Sequence, residues 1–442
     1  MKRTDKAEAI RHLLQSEGKT VAQNTRSFNE GRYASVARLD NYDALKDRAR
    51  EIKEGAIERL PSLIDRVRDA VEARGGTVQV AADAAEANRY IARVVEGAGR
   101  LVKSKSMTTE EIEVNEHLEA AGIEVVETDL GEWVLQIADE APSHLVAPAL
   151  HKSRDAIAQL FNQHFDPGEP LETAEELTRF ARDRLWTLIK GADVGMTGAN
   201  FITADSGTIV LVTSEGNARK TALVPSTYIV VAGVEKIVPS VEELQPFIEL
   251  IGRSGTGQDI TSYISLFTPP FATPPLSFED QHGGRGTRSF HLVLVDNGRL
   301  AMRDDPQLRE TLYCVRCGAC ANVCANFQQV GGHAFGGQTY TGGIATGWEA
   351  GVRGSDAAAS FNELCTGCSR CVPACPVKID IPWINVVVRD RINRGAEGAW
   401  DALVDGLRPS KGGASNEGSK EGSGNALQKR AVAHFETLAK WG

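Results

Sequence analysis

The stretch GRLVKSKSMTTEEIEVNEHLEAAGIEVVET, Gly99 to Thr128, reads as strand, helix, strand. Its opening GRLVKSKS is an apolar strand with a polar exit that begins near Lys103. MTTEEIEVNEHLEAAG is rich in helix formers and stops at a glycine, and IEVVET returns to β-branched residues. That interval is the habit of a parallel sheet covered on both faces by helices. Upstream, GTVQVA (Gly76 to Ala81) is a strand and DAAEANRYIARVVEG a helix. Downstream, SHLVAP and HKSRDAIAQLF continue the rhythm as strand and helix. ANFITADSGTIVLVTSEGNAR then places two apolar strands around a DSGT turn, and STYIVVAGVEKIV and FHLVLVD add buried strands. The expected class is an α/β domain over residues 76–300, behind a helical region at 1–75 in which Pro61 divides the helix and Gly75-Gly76 ends it.

All eight cysteines lie between Cys314 and Cys375, which leaves the long upstream region to fold on its apolar core alone. CVRCGACANVC holds Cys314, Cys317, Cys320 and Cys324, and CTGCSRCVPAC holds Cys365, Cys368, Cys371 and Cys375. Each run is C-x2-C-x2-C-x3-C. Three thiolates so spaced on a tight loop converge on one iron–sulfide cube, and the fourth is aimed at the other cube. The spacing therefore assigns Cys314, Cys317, Cys320 and Cys375 to one [4Fe–4S] cluster and Cys365, Cys368, Cys371 and Cys324 to a second. Structural zinc separates cysteine pairs by a longer finger, and disulfides need an oxidising compartment and wider spacing. Cys375 is followed by proline as such motifs usually are, whereas Cys324 is followed by Ala325. The two-cluster domain is placed at 301–395. PSKGGASNEGSKEGSGNA (Pro409 to Ala426) reads as a flexible linker, and LQKRAVAHFETLAKW as a terminal amphipathic helix, within 396–442.

Lys and Arg number 49 against 59 Asp and Glu, a net charge of −10, which disfavours nucleic acid as a partner. No apolar run approaches a membrane span, and the charged start MKRTDKAEAIRHLLQ lacks a secretory core, so the expected location is the cytoplasm. No nucleotide fingerprint stands in a strand-to-helix turn. His117, His144, His151 and His282 are scattered singly and read as core or surface residues.

The segments VKSKSMTTEEIEVNEHLEAAGIEVVETDLGEWVLQ and GMTGANFITADSGTIVLVTSEGNARKTALVPSTYIVVAGVEKIVPS, with the double cysteine motif, resemble the bacterial lactate-utilisation iron–sulfur (LutB) family over residues 20–395. The resemblance implies a LUD domain, similar in fold to sugar-phosphate isomerases and CoA transferases, joined to a mainly α-helical ferredoxin-like module with two [4Fe–4S] clusters. It also implies a non-autonomous subunit of an assembly that oxidises L-lactate to pyruvate. Its companions there would be a cysteine-rich-domain protein, a second LUD protein and a downstream electron acceptor.

Polar strand ends in open α/β sheets are where ligands bind. Lys103, Asn200, Asp205, Ser206, Thr208, Glu215, Asn217 and Arg219 occupy such ends and form the expected LUD pocket. Singly, DSGT also reads as hairpin chemistry and SEGN as a helix cap. Two other functional classes stay open: an enzyme acting on a CoA ester or sugar acid, and an iron–sulfur redox sensor.

Overall fold

The structure, a computed structural model, describes residues 3–268 and 288–406. Most of the Pro/Gly-rich connection after Phe267, His282, the Gly/Ser-rich linker and the expected terminal helix lie outside the described residues. The described residues up to Asn393 form one compact unit.

Ten strands are present among the described residues: β1 Thr77–Ala81, β2 Arg100–Lys103, β3 Glu124–Glu127, β4 Val194–Thr197, β5 Phe201–Thr203, β6 Ile209–Thr213, β7 Thr227–Gly233, β8 Ile237–Val238, β9 Tyr263–Phe267 and β10 Ser289–Val295. Six make an all-parallel sheet in the order β1-β10-β7-β4-β2-β3. The other four form a smaller mixed sheet, β8-β5-β6-β9, in which β5 and β6 are the antiparallel hairpin around DSGT.

Burial follows the two-residue period of a strand. Ile229 and Val231 of β7 face one core, with Ile91 and Leu118 of the covering helices. Tyr228, Val230 and Ala232 face another, which continues through the small sheet and the helices Tyr42–Glu58 and Leu60–Glu72 into the cysteine region. A third core packs Val102 and Val126 beneath Trp133, Phe161 and Leu177. The helices start where side-chain caps permit: Asp83 accepts from the Glu86 amide at 2.8 Å, and Thr173 and Glu176 form a capping box.

Two expectations are corrected. SHLVAP is not a strand; the Ser143 amide bonds back to the Pro148 carbonyl at 3.0 Å and closes a loop that seats Leu145 in the core. MTTEEIEVNEHLEAAG is two helices, Met107–Glu111 and Val114–Ala120, because Glu113 takes a left-handed conformation at φ 55°. The break leaves Glu111 buried, where Arg299 grips it. The short strand β4 and the helix Ala174–Lys190 were not anticipated, although Thr173 and Glu176 mark the helix start.

Gly195 in β4 lets the helix Asn217–Leu223 lie directly on the sheet, since a Cβ there would stand 1.9 Å from the Thr221 carbonyl oxygen. Gly195→Ala must push backbone against backbone. It is expected to lower stability by about 3 kcal/mol, at the high end for overpacking, read as a fall in the urea midpoint.

Candidate metal centre and its neighbouring cavity

Both cysteine loops pass through left-handed backbone at equivalent positions: Arg316 (φ 58°) and Gly318 (φ 77°) in the first, Gly367 (φ 69°) and Ser369 (φ 61°) in the second. These two reversals curl each loop, as convergence of its first three thiols requires. Backbone N–H groups also reach sulfur, from Arg316 to Cys314 Sγ at 3.3 Å and from Ile379 to Cys375 Sγ at 3.5 Å.

The eight thiols fall into two neighbourhoods, and no disulfide joins them. Cys314, Cys317, Cys320 and Cys375 line one small cavity whose other walls include Leu145, Ile344 and Ile379. Burial, then the adjacent Cys375 and Cys314, pushes the Cys317 thiol up to about 12. In the second neighbourhood burial, then Cys365, pushes Cys371 up to about 12, with Cys324 and Cys368 also acting on it. The two differ in exposure: Cys314, Cys317 and Cys375 are buried, whereas Cys368 is exposed on an exposed loop.

The spacing of the sulfurs tests what they fit. A tetrahedral zinc with Zn–S near 2.3 Å sets its sulfurs about 3.8 Å apart. Among the described residues no three cysteine sulfurs lie within 4.8 Å of one another. Each set is thus more open than one tetrahedral zinc ion needs, in the sense that a larger metal–sulfide core requires.

Beside Cys314 runs a network of charges with almost no solvent. Arg299 holds Glu111 at 2.8 Å and Glu235 at 2.5 Å, all three side chains being 0% exposed. Arg316, from the first cysteine loop, reaches the other Glu235 oxygen at 2.7 Å and lies over the rings of Tyr340 and Trp348. Lys53 donates to the Glu235 carbonyl at 2.5 Å. Burial opposes ionisation of Glu235, but Arg299 and Arg316 outweigh it and hold the carboxyl far below its ordinary range. Lys236 is also buried, and burial, then Arg316, lowers its ammonium to about 7. The cations Lys53, Lys236, Arg299 and Arg316 outnumber the acids Glu111 and Glu235, a balance suited to the negative charge of a thiolate-bound cluster.

A cavity of about 340 Å³ opens at the carboxyl ends of β2 and β4, where chain connections diverge to opposite sides of the sheet. Its walls include Ser104 to Thr108 after β2, Thr197 to Asn200 at the end of β4, and Val315 to Cys317 of the first cysteine loop. Cys317 therefore lines both cavities. Of the expected pocket residues, Asn200, Glu215 and Asn217 line it. Lys103, Asp205, Ser206, Thr208 and Arg219 do not. Lys103 is committed to Glu127 at 2.7 Å, Ser206 bonds Thr203 and Thr208 inside the hairpin, and Arg219 stacks 4.0 Å over Tyr263.

A LUD domain family model matches residues 64–295, and a 4Fe-4S dicluster domain model matches residues 310–379. The chain is 39% identical to lactate utilization protein B of an Exiguobacterium strain, over 85% of this chain and 77% of that one. It is 41% identical to the protein of the same name from a Geobacillus strain, over 82% and 74%. This chain belongs to the lactate utilization protein B family. A solved duf162 family protein from Deinococcus radiodurans aligns with 53% of this chain and 98% of its own, at 14% identity and a TM-score of 0.27. The architecture of this family member is thus a LUD domain with a parallel-sheet core followed by a [4Fe–4S] dicluster domain.

Several residues here escaped the sequence reading: Lys105, Asp129, Lys236 and Arg316 in the large cavity, and Glu111, Glu235 and Arg299 in the network. One signal was available. Glu235-Lys236 interrupts the apolar run TYIVVAGVEKIV, and two charges between buried strands need partners. Burial, then Asp129, raises Glu215 to about 7, whereas nothing in SEGN distinguished it from a surface turn.

Glu235→Gln leaves two buried guanidiniums short of a charge and is expected to cost about 3–5 kcal/mol at pH 7. The folded carboxyl titrates below its unfolded value, so its contribution is complete above the ordinary range near 4.5 and fades as pH falls. Chemical unfolding of both proteins should show the gap narrowing below about pH 4.5.

Proposed function

We propose that the chain is an iron–sulfur electron-transfer subunit of an assembly that oxidises L-lactate to pyruvate. One [4Fe–4S] cluster would be held by Cys314, Cys317, Cys320 and Cys375, and the other by Cys365, Cys368, Cys371 and Cys324. Each cluster, when bound, exchanges a single electron, and its potential responds to burial, charge and N–H···S bonds. Oxidation of lactate releases two electrons and two protons, so a subunit with two one-electron sites suits it.

The observation that carries this reading is the gathering of Cys375 with the first three cysteines around one cavity. The unequal exposure of the two sets supports a direction. Cys317 meets the cavity at the LUD strand ends, and Cys368 meets solvent. The inner set would face the donor and the outer set a protein partner or acceptor. Companion lactate-utilisation subunits, a cysteine-rich-domain protein and a second LUD protein, are the expected partners, and the cytoplasm the expected location. Among the described residues no helix is long and apolar enough to cross a membrane. An autonomous enzyme acting through Asp205 is less well supported, since that residue stands in the hairpin turn rather than the cavity.

The test is anaerobic addition of L-lactate to the complex purified with its companions and both clusters loaded. Reduced-cluster EPR signals should appear, and Cys368→Ser should slow electron delivery to an added acceptor. A fully loaded, complete complex that stays EPR-silent on lactate would rule the reading out.

A further inference from the structure

We propose that Glu17, His151 and His333 form a binding site for one divalent transition ion of the zinc type, separate from the eight cysteines. One ligand atom from each lies within 4.8 Å of the other two. His151 was expected to stand alone, and the fold corrects that. Its ring centroid is 4.6 Å from that of His333, and Glu140 Oε2 is 2.9 Å from its Nε2.

Three separate elements are pressed together to make this cluster. Glu17 immediately precedes the helix Gly18–Val36, His151 sits in the loop before the helix Arg154–Phe165, and His333 lies in Phe327–Ala334, just after the first cysteine motif. A glycine neighbours two of the ligands at the closest approaches. A Cβ on Gly18 would stand 2.6 Å from the Gln329 carbonyl oxygen, and one on Gly332 would stand 2.1 Å from that of Ser143.

The second observation concerns groups outside the triad. A metal-bound imidazole has its other nitrogen anchored by a carbonyl, hydroxyl or carboxylate, which fixes tautomer and ring direction. His333 Nδ1 meets both Glu17 oxygens at 3.0 and 3.1 Å, while Nε2 donates to the Ala141 carbonyl at 2.9 Å. His151 Nδ1 meets Ser143 Oγ at 2.7 Å, which sets the ring's direction, and binding through Nε2 would exchange its 2.9 Å contact with Glu140 for the ion. A divalent ion can stand between Glu17 and His333 Nδ1 while the Ala141 carbonyl keeps hold of Nε2. Two carboxylates, Glu17 and Glu140, face the pair, with Lys152 bound to Glu140 at 2.7 Å. Two imidazoles and a carboxylate select a borderline ion over magnesium or calcium, and three ligands leave a coordination position open. Glu17 and His333 side chains are 16% and 21% exposed, which gives the ion a route in.

Zn²⁺ titrated calorimetrically into the full, cluster-loaded chain under anaerobic conditions should bind one equivalent. Glu17→Gln and His151→Asn should each weaken it by more than about 100-fold, beyond the cost of losing an outer partner, and Ser143→Ala by about 10- to 100-fold. Cluster iron should not change in any of them. Co²⁺ bound to the unaltered chain should show ligand-field bands without thiolate-to-cobalt charge transfer, a readout that survives if a variant misfolds. Absence of binding, undiminished affinity in both ligand variants, or a thiolate charge-transfer band would overturn the proposal. A hydrogen-bonded clamp alone predicts the first of these.

Discussion

The carboxylate of Glu235, fully buried between Arg299 and Arg316, is the constraint on which the rest of the molecule depends. It leaves the end of β7 in the LUD sheet and grips the third residue of the first cysteine loop. A buried carboxylate tolerates such a place only when paired and hydrogen-bonded. Arg316 in turn holds a left-handed backbone, at a cost of about 1–2 kcal/mol, where the second loop uses Gly367. The Arg316 side chain fastens the loop to the sheet through Glu235. The metal centre and the cavity are thereby fixed relative to each other rather than tethered by a linker.

That attachment gives the two cysteine sets different surroundings. The inner set is apolar-walled, which disfavours a more negative cluster, and is flanked by surplus buried cations, which favour one and would raise its potential. The outer set, with Cys368 in solvent, lacks that shelter. The same network reaches the large cavity through Lys236 and Arg316.

Much of the fold was legible because it is written in short-range patterns. The alternation of β1, β10 and β7, the helix start at Asp83, and the hairpin around DSGT each follow from local chemistry. The cysteine spacing was equally local and repeats in full. What was hidden depends on the approach of distant segments. Glu111, Glu235, Arg299 and Arg316 look like ordinary charges until four segments meet, and His151 looks solitary until His333 arrives from far along the chain. Of the polar strand ends, Asn200, Glu215 and Asn217 reach the cavity, while the hairpin residues beside them serve the turn. SHLVAP failed as a strand for a related reason, since an apolar run reports burial without saying what shape is buried.

Electron transfer through this chain would need two metal–sulfide cores whose ligands are exchanged between the two loops. Iron and acid-labile sulfide analysis of the anaerobically isolated chain, combined with EPR of the fully reduced protein, tests this most directly. It should give about eight of each per chain and a broadened spectrum from two close, spin-interacting [4Fe–4S]⁺ centres. A single isolated cluster signal from fully loaded protein, or zinc in place of iron, would contradict it.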